Sequence, residues 1–130
     1  MGVSIKEEPI IHLTELAVMT GTKMTPTASV RVIMNDRDFA SAETGVGPVD
    51  AAMKAIQKLT RDLVNVTLRE YRLEALTGGS NAVAEVIIKV EDKDGNVVSS
   101  RSANEDIVKA SVNAMIAGIN RLLISRKFRA

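Results

Sequence analysis

The segment Gly45-Val46-Gly47-Pro48-Val49-Asp50 has the residue types and spacing to hold a small ligand. Glycines at a turn into a helix let a ligand approach the backbone closely, and the unpaired N–H groups of the first helical turn attract anions. A carboxylate or a phosphate suits such a place. Asp50 adds a carboxylate that pairs with an ammonium group, so the whole segment fits a free amino acid. It is not a Walker loop, because the Gly-Lys-Ser/Thr ending is missing, and the dinucleotide fingerprint lacks its third glycine. The same residues also read as a plain tight turn in which Asp50 serves only the helix dipole.

Few other residues offer chemistry. Tyr71 is the only tyrosine, and alternation places it on one sheet face with Leu73, Ala75 and Thr77. It can close a small apolar pocket with its hydroxyl aimed at a polar group, or it is an amphipathic core residue. His12 is the only histidine and has no metal-ligand partner at suitable spacing, so it reads as a strand residue. Asp92-x-Asp94-Gly95-Asn96 faintly resembles a calcium loop but lacks the glycine and terminal glutamate of that motif, and a hairpin turn explains it. Arg126, Lys127 and Arg129 make a basic tail. No nucleophile motif accompanies His12. These residues give no catalytic group, no metal site and no cofactor, and favour a binding or assembly module over an enzyme.

Composition narrows the class. The 130 residues are enough for one domain, and 45% apolar with 25% charged residues excludes disorder as the main reading. Aromatics are only 2%, so a stacking platform for single-stranded nucleic acid is absent. A net charge of +1 gives no field that favours a polyanion. No cysteine is present, which removes disulfides, thiol catalysis and cysteine-bound zinc. No uninterrupted apolar run reaches the roughly 18 residues of a membrane span, and the polar start Met1–Pro9 is not a signal peptide. The expectation is a cytoplasmic protein without membrane or nucleic-acid partners; Met1 and the polar lead-in fit a natural start and equally a domain cut from a longer protein.

The elements that must position these residues repeat. Gly21 answers to Gly79, Asp36 to Asp94 and Ser41 to Ser99, each at one spacing (79 − 21 = 58). The alternating run Ala28, Val30, Val32 answers to Val86, Ile88, Val90. A slip of one residue would turn every strand side chain to the other face, so kept parity marks two copies of one unit. Unit one reads as strands 10–20, 28–34 and 39–44, with a turn at Asn35-Asp36, then a helix from Pro48. Val49, Ala52, Met53, Ile56, Leu59 and Leu63 form its apolar stripe. Unit two reads as strand 66–77, a turn at Gly78-Gly79-Ser80-Asn81, a strand through Ala84–Val90, a turn at Asp94-Gly95, and strand 97–102. Asn104 then caps a helix running to about Ile124, with Glu105 and Asp106 in its first turn. The fold class is α+β, one domain over 1–130 with units at about 10–63 and 66–124.

The second helix is apolar over most of its circumference. Ile107, Ala110, Ser111, Ala114, Ala117 and Gly118 form a small-residue stripe beside bulky Val108, Val112, Met115, Ile119, Leu122 and Leu123, leaving a polar band at Lys109, Asn113 and Asn120. Such a helix is buried on more than one side. The sheet covers one side, and a second copy of the chain is the expected cover for the other, giving a homodimer through helix and sheet faces.

Three stretches together carry a family resemblance: Gly45–Ile56, Tyr71–Val86 and Asp106–Ser111. They resemble the C-terminal regulatory (allosteric, dimerisation) domain of the 2-isopropylmalate, citramalate and homocitrate synthase family, over about residues 11–123. The resemblance implies two βββα units per chain, paired across a dimer. It implies that leucine or isoleucine binds between units near that interface and inhibits a synthase. Carried over by position, the site would comprise Gly47, Pro48 and Asp50 from the turn, with Leu68, Tyr71, Ala75 and Ala84 from the tyrosine strand and its neighbour. Burying a leucine-sized side chain supplies roughly 1.5–3 kcal/mol, so the polar ends must be held as well. The partner implied is a synthase catalytic domain, whose barrel and divalent-metal site this chain does not contain. The pattern departs at Ser102-Ala103-Asn104, where the family has a glycine-rich turn. The alternative is therefore a free-standing structural dimer of the same fold that has lost the ligand.

Overall fold

The computed structural model describes residues 9–76 and 82–129, with side chains to Arg126. Met1–Glu8, Thr77, the Gly78-Gly79-Ser80-Asn81 turn and the side chains of Lys127 and Arg129 lie outside the described residues. The order is β1 (Ile11–Met19), β2 (Thr27–Met34), β3 (Arg37–Thr44), α1 (Pro48–Thr60), β4 (Thr67–Leu76), β5 (Val83–Glu91), β6 (Val97–Asn104) and α2 (Ile107–Arg129). Two antiparallel three-stranded sheets result, β1-β2-β3 and β4-β5-β6, each followed by a helix. This is the expected pair of βββα units.

Alternation builds the core. Ala28, Val30, Val32 and Met34 on β2 are buried, as are Val86, Ile88 and Val90 on β5. Asn35 and Asp36 both take positive φ, 52° and 61°, which makes the two-residue hairpin whose twist matches its strands. The second hairpin is longer. Asp92 accepts the Gly95 amide on its carbonyl, and Gly95 sits at φ 86°. The Asp92 carboxylate is buried and holds the amides of Asp94 and Asn96 and the Asn96 side chain, so this segment is a self-closed hairpin.

The unequal hairpins break the constant repeat spacing. The spacing of 58 holds for β2 and β5, where Val30 corresponds to Ile88. Leu16 faces Val30 and Tyr71 faces Ile88, so the first strands correspond at 71 − 16 = 55. Ser41 faces Val30 and Ser100 faces Ile88, so the third strands correspond at 100 − 41 = 59. Ser41 therefore answers to Ser100, not Ser99. Each first strand also carries one irregularity, between Leu13 and Glu15 in β1 and between Leu68 and Glu70 in β4. One extra residue there lets Leu13 and Leu16, and likewise Leu68 and Tyr71, face the same side.

The helices deviate from expectation at their ends. α1 stops at Thr60, whose hydroxyl turns back to the Ile56 carbonyl, and Leu63 lies beyond it, exposed. α2 is capped by Asp106 rather than Asn104: the Asp106 carboxylate accepts the Val108 and Lys109 amides, while Asn104 accepts the Asp106 amide. α2 also continues past Ile124 to Arg129.

Most of the apolar circumference of α2 is covered inside the chain, although Ile107 at its start is exposed. The helix packs on β5, β6, β1 and α1. Asn120, expected in a polar band, is buried: its Oδ1 accepts the Ile10 and Ile11 amides and its Nδ2 donates to the Ile11 carbonyl. Ile107–Arg126 has a mean hydropathy of 1.4 and is long enough to cross a membrane by composition, although no uninterrupted apolar run is present. Burial within this core accounts for that composition. Exposed apolar side chains are spread over the surface, among them Leu73, Leu76 and Ile107 near the end of β4.

Candidate functional site

The turn into α1 is built around two glycines with different reasons. A Cβ on Gly45 would lie 2.5 Å from the Ala51 amide nitrogen and 2.6 Å from Asp50 Oδ2, so only glycine lets the chain fold this closely over the helix start. Gly47 is the N-cap, in extended backbone at φ −157°, and a Cβ there would meet nothing within 4 Å. Local structure does not require glycine at Gly47. The space that a side chain would fill is open, and no side chain caps the first turn. Pro48 occupies the first helical position, where its missing N–H costs nothing.

Asp50 reaches back from the first turn. Its Oδ2 accepts the Val46 amide at 3.0 Å and meets Lys54 Nζ at 3.1 Å. The Val46 hydrogen bond, against a smaller opposing effect of burial and with help from Lys54, holds this carboxyl below its ordinary range. It is ionised at neutral pH and partly committed to holding its own turn.

The other predicted residues share the inner face of the second sheet. Leu68 faces Val90, Tyr71 faces Ile88, Leu73 faces Val86 and Ala75 faces Ala84. Tyr71 is half-buried, with its hydroxyl 2.7 Å from Ser111 Oγ. Ser111 Oγ donates to the Ile107 carbonyl, so Tyr71 is the donor to Ser111 and keeps an oxygen lone pair free. The hydroxyl expected to face a ligand is aimed at α2. Ala75 and Ala84 line a cavity of about 340 Å³ together with Leu73, Val83, Glu105 and Ile107. Leu73 is visible by parity with Tyr71. Glu105 and Ile107 join the site only because α2 starts beside β4's end, which no local pattern records.

The seven predicted residues thus form two groups. Leu68, Tyr71, Ala75 and Ala84 lie together, and Gly47, Pro48 and Asp50 lie together. Among the described residues α1 packs on β1, β2, β3 and α2, and not on β4. One chain does not bring the groups into contact.

The sequence that builds this fold matches a known family. The family model described as the LeuA allosteric (dimerisation) domain matches residues 2–123. The chain belongs to the LeuA allosteric (dimerisation) domain family. A protein of Methanopyrus kandleri named as a probable 2-isopropylmalate synthase is 52% identical over 128 residues, covering 98% of this chain and 26% of that protein. A 2-isopropylmalate synthase of Methanocaldococcus jannaschii is 44% identical over 127 residues, covering 98% of this chain and 24% of the relative. A protein of Methanothermobacter thermautotrophicus named as a putative (R)-citramalate synthase, CimA, is 43% identical over 125 residues, covering 96% and 25%. The chain spans about a quarter of the length of the curated relatives it matches. As a member of this family it is an allosteric (dimerisation) domain, and His12 lies exposed on β1.

Proposed function

We propose that this domain binds a branched-chain amino acid, leucine or isoleucine, as a homodimer and so exerts feedback control over a 2-isopropylmalate or citramalate synthase. The observation that carries the reading is the helix start at Gly47. It is uncapped, has open space where a side chain would stand, and is glycine without a local need. Its counterpart in the second unit, Asp106 (106 − 47 = 59), closes its own helix. An unclosed helix start beside an ionised carboxylate suits the two charged ends of a zwitterion. The inner face of β4 and β5 supplies the apolar half, and a second copy is the element that joins the halves. The domain is non-catalytic in this reading and acts on a synthase catalytic domain in the cytoplasm.

Calorimetry with leucine, isoleucine and valine, at concentrations where the protein is dimeric, tests the ligand. No heat with any of them would leave the alternative, a dimer that keeps the fold alone, and its melting temperature would then ignore amino acids. Mixing tests the shared site. Gly47→Asp and Tyr71→Ala homodimers should each fail to bind leucine, and their mixed dimers should regain about half the sites. No recovery on mixing would mean that both groups serve one protomer.

A further inference from the structure

We propose that the cleft between β1 and the start of α2 is a second ligand site, for a small aliphatic carboxylate. A cavity of about 330 Å³ opens there, within the range of small-molecule sites. Leu13, Leu16 and Val18 form its β1 wall, and Val108 and Lys109 its α2 wall. Leu13, Leu16 and Val108 pack onto the buried core, so the wall is fixed from behind.

The cleft is the register counterpart of the surfaces described above, completed within one chain. Leu13, Leu16 and Val18 correspond to Leu68, Tyr71 and Leu73, each 55 earlier (68 − 13 = 55). Val108 and Lys109 correspond to Val49 and Asp50 at 109 − 50 = 59, the spacing set by the third strands. A strand face and a helix start that one chain leaves apart in the second case are already joined in the first. The charge is reversed, because lysine stands where the other surface has aspartate.

That reversal selects the ligand. Two carboxylates also line the cleft: Glu15 is paired with a cation, and Asp106, which keeps its charge, is turned to the positive end of the helix through Oδ1. Glu15 meets Arg31 at 3.0 Å, and Asp106 accepts the Val108 and Lys109 amides. Among the described residues the Lys109 ammonium is in no ion pair. The cleft therefore presents aliphatic walls and one available cation, which suits a carboxylate on a short branched chain and asks for no ammonium. The walls and the cation stand on their own geometry. Only the comparison of charge rests on the amino-acid reading.

The test is an amide-detected NMR titration with 4-methylpentanoate and, separately, with leucine. The acid should shift Leu13–Val18, Val108 and Lys109 in a saturable manner. Lys109→Gln should weaken that binding at least tenfold with an unchanged melting temperature, and Tyr71→Ala should leave it intact. Absent or non-saturating shifts, or equal affinity in Lys109→Gln, would overturn the second site. Leucine shifts confined to the Gly47 and Tyr71 surfaces would then still support the amino-acid reading. Shifts at β1 with no leucine response anywhere would do the reverse.

Discussion

At the end of β3 the chain passes into α1 through Gly45 and Gly47. At the end of β6 it passes into α2 through Asn104 and Asp106, the residues at the same two places. The start of α2 is closed by its own side chains, Asn104 to the Asp106 amide and Asp106 to the amides of Val108 and Lys109. At the start of α1, Asp50 reaches back to the Val46 amide, which precedes the helix, and the N-cap Gly47 leaves the first-turn amides without a side-chain partner. Of the two copies of one unit, only the second satisfies its orphan helix amides with its own side chains, and the first leaves room for something else to satisfy them.

The sharpest way to break this comparison is to change the side chain at equivalent places. Gly45→Ala should cost about 3 kcal/mol, the upper end of overpacking penalties, because backbone and Asp50 would both have to move. Asn104→Ala, at the matching position, should cost no more than about 1 kcal/mol, since it removes one exposed hydrogen bond. Urea denaturation measures both. Equal losses would mean that the two helix starts are built alike.

The caps come next. Asp106→Ala should lose about 1 kcal/mol by removing the cap of α2. Gly47→Asp should gain a few tenths of a kcal/mol in α1, yet lower leucine affinity at least tenfold by filling the open start. Thermal melts and calorimetry on the same samples check the pair. A stabilised Gly47→Asp that binds leucine as before would move the site elsewhere.

These contrasts lie partly within reach of the sequence. Parity alone places all six strands and puts Tyr71, Leu73 and Ala75 on one face, because alternation is enforced by burial. It cannot register the extra residue at Thr14 or Arg69, since a bulge changes spacing without changing composition. Nor does parity register that the β5–β6 hairpin is one residue longer than the β2–β3 hairpin, so one constant spacing pairs Gly47 with Glu105 instead of Asp106. Two capping residues within three positions, Asn104 and Asp106, are equivalent locally, and the end of β6 decides between them. The candidate site is legible as two motifs but not as one place, because Gly47 and Tyr71 do not meet within a chain.

Acid should weaken the two units unequally. The Asp92 carboxyl is buried, which opposes ionisation, but Asn96, the Asp94 amide and the Arg126 charge outweigh this and hold it low. Asp50 is held low chiefly by the Val46 amide, with its side chain 36% exposed. A carboxyl depressed in the folded state stabilises the fold above its unfolded value, near 4, and loses that contribution as pH falls through the folded value. Stability should therefore drop below about pH 4. Asp92→Asn should flatten that acid limb more than Asp50→Asn, because solvent screens Asp50. Melts from about pH 2.5 to 6 span that limb and separate them. A greater flattening by Asp50→Asn would place the tighter carboxylate in the first unit.

The finest contrast is between two serines. Ser100 Oγ donates to the Ala114 carbonyl at 2.7 Å, while Ser41, its counterpart, has a buried Oγ with no partner among the described residues. Helix approach explains the difference. A Cβ on Gly118 would come within 3.0 Å of both Ser100 Oγ and Val90 Cγ2, so glycine lets α2 sit close on its sheet. The matching residue of α1 is Leu59 (118 − 59 = 59), whose side chain does not permit the approach that Gly118 allows, and Ser41 Oγ has no carbonyl partner. Ser100→Ala should then cost about 1 kcal/mol. Ser41→Ala should be neutral or slightly stabilising, because it removes a buried hydroxyl that gains nothing. Differential scanning calorimetry resolves the two. If Ser41→Ala lowers the melting temperature as much as Ser100→Ala, the first hydroxyl has a partner in solution, and the closer packing of α2 is not what separates the units.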